Sequence, residues 1–335
     1  MARYISDQNK VLGIHESGTY AFTSGNAFWI GQVTDHTVDD AENVLINRFL
    51  GTADRNLDKF DSGPRDVTGT ITYKPQNMRL VFFGIGSVND VSGTQARHIV
   101  TEINTDVPQN AFTSEGPVSF TIEDSKQSPG TGRNFIRTII GAVPNVTTIT
   151  ATQGEKVEVT IDYIAQSLQA SSGTTTTLIE NTSDPFLWSE AKLSIGVGAN
   201  VGSVLDTAKT VSLEINQNRT GPHYLNGSRV IGIPFNGNRE YTLSVDLDLD
   251  GTDADMLYNN FYKDGNEFHA EFDIDGDTTT GSKHVLFVMS GCRIISMDNP
   301  SALEGTTETT IEIKPTTLSA EAWEIGVEDG IYNIF

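Results

Sequence analysis

The chain has 335 residues, 37% of them hydrophobic, with a mean hydropathy of -0.25, which is enough apolar content for ordinary cores and excludes global disorder. Its 22 Lys and Arg face 44 Asp and Glu, a formal net charge of -22 that opposes any role in clamping nucleic acid phosphates. A single cysteine, Cys292, excludes an intrachain disulfide framework and a thiolate metal cluster.

The opening MARYISDQNK lacks the apolar core of a signal peptide, and no apolar run reaches spanning length. The expectation is therefore synthesis and assembly in a cytoplasm with no membrane contact. Residues 1–23 are mixed and polar and read as an arm. Phe28, Ile30 and Val33 begin the first apolar pattern. In GPRDVTGTITYKP, residues 63–75, Val67, Gly69, Ile71 and Tyr73 alternate with Thr68, Thr70 and Thr72, the period-two pattern of a half-buried strand. Met78, Leu80, Val81, Phe82 and Ile85 then predict a short helix, ended by Gly84 and Gly86. Residues 87–115 are polar and read as a long inserted loop, either an interaction segment or a solvated surface loop. The strand PVSFTIED follows.

Residues 141–168, GAVPNVTTITATQGEKVEVTIDYIAQSL, are written again as residues 291–318, GCRIISMDNPSALEGTTETTIEIKPTTL. Glu158, Thr160 and Leu168 recur as Glu308, Thr310 and Leu318. A second matched block lies earlier in each half, where Gly63, Arg65 and Thr68 correspond to Gly237, Arg239 and Thr242 at the head of a strand. Two blocks in the same order predict a duplicated unit. The domains read as 1–168, with the arm and the inserted loop, and 185–335, with a C-terminal tail. Residues 169–184, rich in Ser and Thr, form the linker, in which Leu178 and Ile179 could add a short strand. In the second half Thr252 is the expected N-cap of a short helix with Met256, Leu257 and Phe261 on its apolar side. The chain finishes with Trp323 and an apolar IYNIF tail expected to dock.

Most candidate chemistry fails on spacing. Asp246, Asp248 and Asp250 copy the opening of an EF-hand calcium loop, but Leu257 stands where the bidentate Glu belongs. The same alternation also makes a strand with one wet face. The six histidines are scattered singly, with His269 and His284 the pair a hairpin could bring together. The glycine run at residues 196–202 misses the dinucleotide spacing by one and precedes a strand instead of a helix. There is no phosphate-binding loop and no nucleophile elbow, so the expectation is a non-enzyme without cofactor or metal. What recurs is an acidic strand face: Glu158, Thr160 and Asp162 in one copy, Glu308, Thr310 and Glu312 in the other, with Val157, Val159, Ile161 and Ile311, Ile313 opposite.

The order of these elements, a Gly-x-Arg-acid-apolar-Thr block leading into a strand, a short apolar helix and a closing strand pair, resembles the tail tube proteins of tailed phages and related archaeal viruses. It looks most like the subgroup with two tube domains per chain. The resemblance covers residues 28–318. It implies a mainly β fold of two tandem β-sandwich or barrel domains, each flanked by a short α-helix. It implies trimeric, pseudo-sixfold rings stacked into a virion tail tube through which DNA and tape-measure protein pass, with sheath, tail terminator and baseplate proteins as further partners. On that reading Glu158, Asp162, Glu308 and Glu312 line the bore. A different tail or baseplate component of related fold, or a non-catalytic calcium- or carbohydrate-binding β-sandwich, are the alternatives.

Overall fold

The computed structural model describes residues 9–16, 27–47, 59–91, 96–102, 119–127, 134–171, 183–197, 202–248, 255–276, 283–298 and 308–324. The first half contains β1 (Asn9–His15), β2 (Ala27–Phe28), β3 (Gln32–Asn47), β4 (Lys59–Lys74), α1 (Arg79–Ile85), β5 (Gly86–Val91), β6 (Ala96–Glu102), β7 (Phe120–Gln127), β8 (Asn134–Thr152), β9 (Glu158–Ala165) and β10 (Ser167–Ser171). The second contains β11 (Ala191–Val197), β12 (Ser203–Val204), β13 (Ala208–Asn216), β14 (Glu240–Asp248), a π-helical segment (Asp255–Lys263), β15 (Phe268–Asp275), β16 (Lys283–Asp298), β17 (Glu308–Lys314) and β18 (Thr317–Glu324). The mainly β class that the resemblance implies is what the chain adopts.

Two long strands organise the molecule. The first part of β8 pairs with β7 and β10 in a short sheet that also holds β1 and β2, and its second part pairs with β9 in a long sheet. β16 does the same in the second half, pairing first with β15 and β18 and then with β17. Each strand changes sheet at a glycine with positive φ, Gly141 at 70° and Gly291 at 59°. A side chain there would force the left-handed backbone region that L-residues avoid, and at Gly291 a Cβ would also meet the Thr316 hydroxyl at 2.2 Å.

The pairings of the two halves share one register. β4 faces β9 with Val67 opposite Ala165, and β14 faces β17 with Leu243 opposite Ile313. Moving β4 by the 174 positions from Gly63 to Gly237, and β9 by the 150 from Glu158 to Glu308, carries Gly69 and Tyr163 onto Leu243 and Ile313, which are paired. The irregularities recur as well. The shift at Val33/Asp35 in β3 returns 175 positions later at Ala208/Thr210 in β13, that at Pro144/Val146 in β8 returns at Ile294/Ser296, and that at Phe120/Ile122 returns at Phe268/Ala270. A bulge locally twists a strand and re-aims its side chains, so matched bulges give both halves the same curvature.

The long sheet continues across the chain. β13 pairs with β8 along its length, Val211 opposite Ala151 and Asn216 opposite Val146, so the order is β3-β4-β9-β8-β13-β14-β17-β16. One apolar cluster runs beneath it, from Ile71, Tyr73 and Ile161 to Leu243, Val245 and Ile311. Ile161 and Ile311 face this core as the alternation predicts, at 0% and 1% exposure.

Three expectations are corrected. The polar arm contains β1, which pairs with all of Phe120–Lys126 and buries Leu12 and Ile14; its apolar residues are too few to stand out until a partner over 100 positions away covers them. The segment 87–115 is not irregular where it is described, because β5 and β6 form a hairpin whose β6 edge pairs with β18 of the same chain. The helix expected after Thr252 is π-wound, though it buries Leu257 and Phe261 as its pattern requires. Helix α1 is buried along its whole length, with the Arg79 guanidinium 4.4 Å from the Phe28 ring centre. Thr252, Asp250, Leu178, Ile179, residues 103–115 and the IYNIF tail lie outside the described residues.

Candidate functional site

Because neighbouring strands hold one register, side chains of the long sheet divide cleanly into two faces. One is the core. The other brings all four predicted acids together: Glu158 and Asp162 on β9, Glu308 and Glu312 on β17. Rows of Thr and Ser join them, and the rows cross the junction of the halves, where the Thr150 and Ser212 hydroxyls lie 3.2 Å apart. Glu214 on β13 and Asp246 on β14 extend the acidic character between the two copies.

The carboxylates have local partners. Lys74 donates to Glu158 at 2.5 Å, and the Thr70 hydroxyl donates to Asp162 at 2.6 Å. Lys209 bridges Asp248 at 2.8 Å and Glu308 at 2.7 Å, and hydrogen bonds from the amine to both raise its pKa. The Thr310 hydroxyl donates to Asp246 at 2.7 Å. These contacts are exposed or half-exposed and contribute little to stability. They fix carboxylate positions on a flat polar lattice without closing a pocket around them.

The calcium reading loses its geometry. β14 runs straight through Asp246 and Asp248, which stand on one strand face engaged by Thr310 and Lys209, where an EF-hand requires a tight loop. Among the described residues no group of three or more His, Cys, Asp or Glu converges on one point. His269 and His284 are not brought together: His269 lies 3.1 Å from Glu271, and His284 2.5 Å from Asp273. Cys292 is buried, and burial pushes its thiol up to about 12.

The Gly-x-Arg block has a structural use in both copies. A Cβ on Gly63 would lie 2.0 Å from the Asn43 carbonyl oxygen, and on Gly237 2.3 Å from that of Asn218, so the strand crossing closes only over glycine. Arg65 grips Asp40 through two nitrogens, while Arg239 donates to Gln217 and pairs with Glu102 at 3.2 Å. Thr68 and Thr242 point to the polar face, where Lys314 donates to Thr242 at 2.6 Å.

Several anchoring residues carry no sequence signal. The buried carboxylate of Glu16 accepts from Ser119, from Thr121 at 2.7 Å and from the Gly141 amide at 2.7 Å, fixing the point where β8 changes sheet. Asp124 accepts from Arg137 and lies 3.4 Å from His36, which also contacts the Tyr163 hydroxyl at 2.9 Å. Burial alone would raise the Asp124 carboxyl, but hydrogen bonds from His36 and Arg137 outweigh it and hold it below the ordinary carboxylate range.

A long two-faced sheet, one face core and the other an acidic hydroxyl lattice, defines a β protein whose polar surface is extended and not gathered into a pocket. The family model of the phage tail tube proteins matches residues 51–322, most of the chain, and the chain belongs to that family. Its members are structural components of the virion tail. Comparison with curated proteins returns no match. No helix among the described residues is long and apolar enough to cross a membrane.

Proposed function

We propose that this protein is the major tail tube subunit, that its halves are two tube domains joined through residues 172–184, the first three residues of the expected linker being taken up by β10 in the first short sheet, and that three copies close a pseudo-sixfold ring. Rings then stack into the conduit for DNA ejection. The observation that carries this reading is the β8–β13 pairing, which joins two units of identical register into one sheet and leaves β3 and β16 at its ends. A head-to-tail contact between like units closes into a ring when its rotation permits, and closure removes both free edges.

The acidic face belongs on the bore in this arrangement. A conduit for DNA must offer no foothold to phosphates, and a uniform lattice of carboxylates and hydroxyls raises their energy evenly along the path. Lys74 and Lys209 are already held by carboxylates of the same face, which supports the reading. Tape-measure protein is the resident occupant of the bore on this model, with terminator, baseplate and any sheath at its ends and outer wall.

Electron cryomicroscopy of the purified chain tests both parts. The expected result is tubes of uniform diameter built from trimeric rings, with Glu158, Asp162, Glu308 and Glu312 on the inner wall. Isolated particles at every concentration would overturn the tube, and tubes carrying the four acids outside would overturn the bore assignment alone.

A further inference from the structure

We infer that the contact between chains copies the β8–β13 junction inside the chain, and that this fixes its register to the residue. The inference rests on the ring reading above and adds which atoms meet. Three observations carry it.

First, the outer edge of β3 and the 293–298 edge of β16 pair with no strand among the described residues, and both occupy positions whose counterparts are paired within the chain. β3 corresponds to β13, 175 positions later, and β16 to β8, 150 positions earlier, by the shared registers and bulges already given. Asn216 lies opposite Val146, so Ala41 of one chain lies opposite Ser296 of the next. Likewise Glu214 opposite Thr148 becomes Asp39 opposite Asp298.

Second, the two faces agree in phase. Ala41 lies opposite Asp66, and Ser296 opposite Glu312, both on the polar face of the long sheet, so the seam continues that face without a flip.

Third, the chemistry at the end of the seam changes in a matched way. Inside the chain the junction is closed by polar groups: the Asn145 side chain accepts from the Arg219 amide at 2.7 Å, and the Arg219 guanidinium reaches the Pro144 carbonyl. The counterparts are Ile295 and Val44, which are 50% and 45% exposed in the single chain. A polar pair within has become an apolar pair between. Leu45, Ile46 and Phe60 continue the exposed apolar surface along the same hairpin. The second half shows where such a hairpin goes, since its β13–β14 connection folds back across the junction, with Arg229 on Glu42 at 2.6 Å and His223 on Asp66 at 2.9 Å. Apolar residues left bare on both edges of one seam are the signature of a surface that meets its own kind.

The register also sets a brake. Asp39 opposite Asp298 places like charges across neighbouring strands, which opposes pairing until it is screened.

The test is a cysteine bridge. The Gln217 amide donates to the Asn145 carbonyl, so Asn216 and Val146 form the narrow, non-hydrogen-bonded pair, and their counterparts Ala41 and Ser296 have the spacing a disulfide needs. Cys292 is buried and does not compete. Under copper-phenanthroline oxidation the double variant Ala41→Cys with Ser296→Cys is expected to run as a covalent trimer on non-reducing gels. Either single variant stays at 36.4 kDa. Asp39→Cys with Ser296→Cys reports a register slipped by two. Val44→Asp with Ile295→Asp, both exposed, is expected to leave a folded monomer without rings, while Val44→Arg with Ile295→Asn transplants the internal polar pair and keeps them. Rings with no Ala41/Ser296 bridge, or with the slipped pair bridged instead, would overturn the register and leave the tube standing. A chain that never assembles would overturn both.

Discussion

Asp124 shows how much of this fold hangs on single buried charges. Its carboxylate is shared by Arg137 and His36 beneath the first short sheet, and its pKa is lowered in the fold. A depressed carboxylate contributes stability that is fully present above its unfolded value, about 3.9, and is lost as pH falls through the folded value. Arg137→Ala removes one of its two partners and leaves the charge buried, a change expected to cost about 3 kcal/mol at neutral pH. Urea unfolding across pH 3 to 7 checks this. The loss should be large at pH 7 and shrink only as pH falls below the unfolded value and through the lowered folded one, where the carboxyl takes a proton in both variants. His284 has the opposite sign. The hydrogen bond that it donates to the Asp273 carboxylate raises its pKa, so that pair stabilises fully below the ordinary value near 6.5 and fades as pH rises through the raised one. None of these partnerships is visible in the sequence, because Asp124 and His36 stand 88 positions apart and neither sits in a motif.

At the scale of elements, the strands were legible and their ends were not. Alternation around Ile71, Val159, Leu243 and Ile311 predicts strands with one buried face, and all four side chains are buried. β1 escaped, since its pattern emerges only against β7, and the β5–β6 hairpin was hidden by its polarity until β18 covered one edge. Glu102 locks that hairpin down, accepting from the Leu318 amide at 2.6 Å and pairing with Arg239 of the second Gly-x-Arg block. Glu102→Ala is expected to cost about 2 kcal/mol, the scale of a charge-assisted hydrogen bond, and to speed amide exchange in β6 and β18 ahead of the rest of the sheet. Uniform exchange across both halves would show that the hairpin merely lies there. Gly291→Ala meets both a left-handed backbone and the Thr316 side chain, so a loss of at least about 1 to 2 kcal/mol is expected in thermal unfolding, with Gly141→Ala its counterpart in the first half.

At the scale of the whole molecule the dominant fact is charge. A chain with a formal net charge of -22 repels its copies, and the register proposed for the seam adds Asp39 opposite Asp298. Salt shortens the reach of both, from about 30 Å at 0.01 M to about 8 Å at 0.15 M. Ring formation should therefore rise with ionic strength, and Asp298→Asn should move the transition to lower salt. Sedimentation velocity over a salt series measures it. Assembly that weakens as salt rises would mean that attraction between charges, not apolar and backbone pairing, drives closure.

The sequence by itself determined the β class, the two matched blocks, the buried and wet faces of each strand, and the acidic character. These are local properties, set by side-chain period and composition, and they survive whatever the strand pairs with. Only the tertiary structure decided that β8 and β13 join the halves into one sheet, that the four acids share its polar face, and that the described part of the inserted segment is a hairpin laid on β18. Those depend on which edges meet at which register. Backbone hydrogen bonds are chemically the same for every sequence, so that choice becomes visible only when the strands are side by side.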